Sequence, residues 1–75
     1  MNTINTHENL KFGVLALAFT GKNLPLQVLK SNAGFFIGTA DDEGPCSRES
    51  KEYFRNSESA QHALENGQWT QRNNP

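Results

Sequence analysis

Three large apolar residues in a row, Phe35, Phe36 and Ile37, sit between Gly34 and Gly38. Neighbouring side chains on a strand point to opposite faces of its sheet, so a strand reading GFFIG must be covered on both. Turn chemistry brackets it. "KSNAGF" offers Asn32 and Gly34 for positive φ and Ser31 for a local backbone bond, and "DDEGP" ends in the punctuators Gly44 and Pro45. The stretch is therefore expected to be the second strand of an antiparallel meander. The first is "LPLQVL", where Pro25 suits a strand start and Leu26 and Val28 alternate with Gln27. The third is expected to run from Ser47 to Phe54.

Helical signals flank the meander. In "NTHENLKFGVLALAFTGKN", Asn5 and Glu8 approximate a capping box and Gly21 is placed to end the helix. Leu10, Val14, Leu17 and Ala18 share one face of that helix; Phe12, Leu15 and Phe19 form a second apolar stripe beside it. A strand is the rival reading, because Leu10, Phe12, Val14 and Ala16 also alternate. Gly13 weakens both, at about 1 kcal/mol relative to Ala in a helix. In "RNSESAQHALENG", Asn56 or Ser57 caps, Glu58 meets the positive end of the helix dipole and Gly67 stops the helix. Ala60, Ala63 and Leu64 supply its apolar stripe. Trp69, in the tail "QWTQRNNP", is expected to fold back over the core edge, a burial that contributes about 2–3 kcal/mol. The expected fold is α+β: a two-layer α-β-β-β-α arrangement, a three-stranded antiparallel sheet with two helices on one face.

At 75 residues the chain makes one domain, residues 1–75, with fraying expected at about 1–5 and 72–75. So short a chain buries only about 60% of the surface its unfolded form exposes, and association is a common way to stabilise such a core. Seven basic residues against eight acidic ones leave neither the basic excess of a nucleic-acid module nor the acidity of a DNA mimic. One cysteine excludes an intramolecular disulfide and fits a reducing cytoplasm. The N-terminus has no basic region of a secretory signal, and the apolar run "FGVLALAF" is far short of the roughly 20 residues a membrane span needs.

The polar stretch "GPCSRESKEYF" is the hardest to assign. As a strand it places Arg48, Ser50, Glu52 and Phe54 on one face and Ser47, Glu49, Lys51 and Tyr53 on the other, which reads as an edge strand protected by charge. A surface made for a polar partner has the same pattern. The candidate interaction surface is accordingly Phe36, Arg48, Ser50, Glu52, Tyr53, Trp69 and Arg72. Catalysis has a thinner basis. Arg48 could favour the thiolate of Cys46, but a base is also needed, and neither His7 nor His62 is tied to Cys46 by a local motif. Two histidines do not define a metal site, "TADDEGP" lacks the ligand spacing of a calcium loop, and "GFFIG" lacks the following helix of a phosphate loop. No catalytic, cofactor-binding or metal residues are assigned.

The element order matches that of the double-stranded-RNA-binding domain, but "NSESAQHAL" has an acid where that module carries lysines. From Gly34 onward, "GFFIGT", "DEGP", "SRES", "EYF" and "GQWTQR" together resemble a family of small bacterial proteins with no assigned activity. A tyrosine is more usual there at the position of Phe36. The resemblance covers roughly the C-terminal half and implies a cytoplasmic accessory protein of mobile or phage-related genomes. The expected function is thus non-enzymatic interaction, as a homodimer or with another protein. The alternative is a nucleic-acid-binding module using Lys51, Arg55 and Arg72 beside Tyr53 and Trp69.

Overall fold

The computed structural model describes residues 11–74. Helix α1 spans Val14–Thr20, strands β1, β2 and β3 span Gln27–Ser31, Gly34–Asp41 and Gly44–Arg48, and helix α2 spans Ser57–Asn66. The sheet is antiparallel in the order β1-β2-β3. This is the α+β architecture, α-β-β-β-α, that the spacing of apolar runs and turns implies. Helix α2 packs against β1 and β2, and α1 against β3.

Strand β2 is the centre of the core. Phe36, Ile37, Gly38 and Thr39 are buried in succession, as a strand covered on both faces requires. The two turns are built by side chains of the residues that enter them. Ser31 Oγ accepts from the Ala33 N–H at 3.2 Å, and Asp41 Oδ1 accepts from the Glu43 N–H at 2.8 Å. Among the described residues positive φ falls on glycine alone, at Gly34 and Gly44 here, so Asn32 does not adopt it. Between β2 and β3 the register shifts at Thr39/Ala40, and Pro45 stands opposite Ala40, where a missing N–H is tolerated.

Strand β3 is shorter and earlier than the Ser47–Phe54 expectation. It ends at Arg48 because the Ile37 carbonyl accepts from both Glu49 and Ser50 N–H, at 2.9 and 3.0 Å, which breaks the alternation of the ladder. Phe54 returns to the sheet, exchanging two backbone bonds with Phe35. The stretch between them is held from its other side by the C-terminal tail. Lys51 N–H donates to the Thr70 carbonyl at 2.9 Å, and Arg72 N–H to the Glu49 carbonyl at 2.7 Å. Arg72, expected in a fraying end, is therefore tied to the sheet, and its guanidinium also reaches the Arg48 carbonyl. Trp69 is half-buried between these bonds and α2 in the chain order.

The helices differ in origin. Asn56 caps α2, its side chain accepting from the Ser59 N–H at 2.7 Å, with Glu58 in the first turn and Gly67 left-handed at the C-terminus. Ala60 and Ala63 are buried and Leu64 half-buried, as expected. Helix α1 ends where expected, at a left-handed Gly21. Its start does not follow the expectation: Asn5, Glu8 and Leu10 lie outside the described residues, Phe12 bridges Pro25 in extended conformation, and Gly13 occupies the cap position with no side chain to offer.

Candidate functional site

Gly13, at the cap position of α1, has no side chain to bond the first turn. The partner comes from more than thirty residues away. Glu49, fully buried, accepts the Leu15 N–H on Oε1 and the Ala16 N–H on Oε2, both at 3.0 Å. These are the second and third helical N–H groups, the pair an N-cap side chain would take. The carboxylate also accepts the Ser47 hydroxyl at 2.6 Å and the Gln71 side-chain amide at 2.7 Å. Ser47 Oγ in turn lies 2.7 Å from Thr39 Oγ1. One buried acid thus joins α1, β2, β3 and the C-terminal tail.

A buried carboxylate is tolerable only when its oxygens are bonded, and four donors meet this one. Burial alone pushes its carboxyl up, but the N–H of Leu15, the hydroxyl of Ser47, the amide of Gln71 and the N–H of Ala16 outweigh that and hold it below the usual glutamate value. Gly13 makes room for it. A Cβ there would stand 2.5 Å from Thr39 Cγ2 and 2.6 Å from Glu49 Oε2. The backbone of Gly13, at φ −76° and ψ 118°, is one any residue adopts, so the requirement is for space.

The polar stretch is therefore not an exposed edge strand. Ser47, Glu49 and Ser50 are buried, and Ser50 Oγ accepts the Ile37 N–H at 3.1 Å while donating to the Glu52 carbonyl at 2.9 Å. Of the seven candidate surface residues, Phe36 and Ser50 are interior. Phe36 is only 7% exposed because Tyr53 packs edge-on against it, with ring centroids 6.0 Å apart, and Arg48 stacks over Tyr53 at 4.5 Å. The second face of the sheet is covered at Phe36 by the chain itself. Glu52, Trp69 and Arg72 are half-buried, and Glu52 receives the Thr70 N–H at 2.9 Å.

Cys46 sits beside Asp41. Burial pushes its thiol up, and the bond to the Asp41 carboxylate pushes it further, with only a small opposing pull from Lys22. That is the reverse of an activated nucleophile. Lys22 instead pairs with Asp41 at 2.6 Å, and with the Glu43 N–H and the Cys46 thiol it holds that carboxyl down at about 2. His62 is exposed on α2, and His7 lies outside the described residues. Among the described residues no three His, Cys, Asp or Glu side chains group as metal ligands, and no helix is long and apolar enough to cross a membrane.

The unexpected surface is α1 itself. Leu15 and Ala16 are its buried face. Val14, Leu17 and Ala18, read from the sequence as one stripe, all point to solvent, with Val14 59% and Leu17 51% exposed. Phe12 and Phe19 flank them at 44% and 60%. The helix contains no charged residue, and an all-round apolar helix belongs in an interior. No protein-family model, curated protein or solved structure matches this chain.

Proposed function

We propose that this protein is a small non-enzymatic interaction module that forms a homodimer by packing the outer face of α1 against a second copy. The exposed apolar cluster of Phe12, Val14, Leu17 and Phe19 carries this reading, because contiguous apolar patches are rare on chains that remain alone. A second copy fits it for two reasons. The face presents no charge from Val14 to Thr20, so two of them meet without like-charge repulsion. The core is also lined by small side chains: of the six buried apolar residues among those described, three are alanines, and a dimer interface would extend it. Glu49 then serves the function indirectly, fixing the angle at which the sheet presents α1. A cytoplasmic setting and an accessory role in mobile or phage-related genomes accord with the lone thiol and the family resemblance.

Sedimentation equilibrium tests the proposal. The expected result is a dimer at high micromolar concentration that becomes a monomer on Leu17→Asp, with the melting temperature of the monomeric fold little changed because Leu17 is half exposed. A wild-type chain that remains monomeric throughout would overturn it. Steeply salt-dependent binding of DNA or RNA in fluorescence anisotropy would instead favour the nucleic-acid module.

A further inference from the structure

We propose that residues 68–72 form a strap whose docking on residues 49–52 controls the presentation of α1. The strap begins where α2 ends. Gly67 turns the chain in left-handed conformation, and the Gln68 N–H closes on the Ala63 carbonyl at 2.9 Å. From there the chain runs antiparallel to the stretch that follows β3. Ser50 bridges Gln71, with the Lys51 N–H on the Thr70 carbonyl and the Arg72 N–H on the Glu49 carbonyl. The Glu52 carboxylate completes the seat by taking the Thr70 N–H, at 2.9 Å on Oε1 and 3.1 Å on Oε2.

The strap reaches α1 through one oxygen atom. Gln71 turns inward, and its Nε2 donates to Glu49 Oε1 at 2.7 Å, the same atom that takes the Leu15 N–H at 3.0 Å. A second bond from that amide, at 3.3 Å, falls on the Glu49 carbonyl, which also holds Arg72. The strap thus fixes Glu49 at both its main chain and its carboxylate. Glu49 is fully buried, and a buried carboxylate keeps its charge only while its oxygens are bonded. Lifting the strap removes one of those donors. Water then competes for the vacated oxygen with the N–H groups of the helix.

Helix α1 is the element that feels this loss. It is seven residues long, and helices shorter than roughly 12–15 residues are marginal on their own. Helix α2 carries its own cap in Asn56, so its first turn keeps its bond when Glu49 is released. The coupling therefore runs from strap to Glu49 to α1 and spares the start of α2. It acts within one chain and does not depend on the dimer. Linkage makes it reciprocal. A partner on the outer face of α1 tightens the strap, and a segment that displaces the strap from residues 49–52 withdraws α1 from its partner.

The test is native-state amide hydrogen exchange of the full chain, followed by nuclear magnetic resonance in the Leu17→Asp background. That background removes self-association, so a failure of the dimer leaves the readout standing. Gln71→Ala and Glu52→Ala are each expected to speed exchange at Leu15 and Ala16 about tenfold more than at Ser59 and Ala60 of α2. Glu52→Ala is the decisive variant, because the Glu52 carboxylate holds Thr70 of the strap rather than Glu49. Should Gln71→Ala fail to fold, Glu52→Ala decides alone. Equal acceleration in both helices would overturn the proposal, since the strap would then support only the fold as a whole. So would Leu15 and Ala16 amides that Glu52→Ala leaves unmoved.

Discussion

Helices α1 and α2 solve the same problem by opposite routes. Each must satisfy the N–H groups of its first turn and bury one face. Helix α2 does this with its own neighbours: Asn56 caps, Gly67 terminates, and Ala60 and Ala63 lie against the sheet. Helix α1 borrows its cap from Glu49 and still leaves Val14 and Leu17 in solvent. A locally capped helix is a property of its segment. A helix capped from the sheet exists only when the tertiary structure does, and the same anchor that forms it also aims its free face.

The sharpest way to break this comparison is to remove the anchor. Glu49→Ala orphans two backbone N–H groups, an amide and a hydroxyl, and is expected to destabilise the chain by about 3–5 kcal/mol, much of what so small a domain has. Chemical denaturation followed by circular dichroism measures it. Next comes Gly13→Ala, whose methyl would drive against Thr39 and Glu49. The expected loss is about 1–3 kcal/mol, by the same measurement, from overpacking rather than backbone strain. The corresponding change in the other helix, Asn56→Ala, removes one exposed cap bond and is expected to cost only about 1 kcal/mol. Equal losses at Glu49 and Asn56 would erase the distinction.

Acid sharpens it further. The carboxyls of Glu49, Asp41 and Glu52 all lie below their ordinary values; for Glu52, burial pushes up but the Thr70 N–H outweighs it. Groups depressed in the fold stabilise it above their unfolded values and lose that contribution as pH falls through the folded ones. The melting temperature should therefore be level above about pH 5 and fall below about pH 4.5.

What could be read from the sequence follows the same division. The two turns, the middle strand, Gly21, Gly67 and all of α2 were legible because each signal lies within a few residues of what it controls. Glu49 was not. On a period-two pattern it is one more charge on a polar strand, and its partners are scattered over Leu15, Ala16, Ser47 and Gln71. Two clues were nevertheless present: a glycine where α1 needs a cap, and an acid between serines in "SRES". The outward face of α1 was not legible because an all-apolar helix offers no polar side to mark the direction of solvent.

The most direct test of the anchor is a nuclear magnetic resonance titration of the wild-type chain, following the Glu49 carboxyl carbon together with the amide protons of Leu15, Ala16 and Ser59. The account predicts a Glu49 midpoint below 4.5, with the Leu15 and Ala16 amides shifting at that same midpoint and Ser59 not following it. A Glu49 midpoint at or above 4.5, or Leu15 and Ala16 amides that ignore its titration, would contradict it.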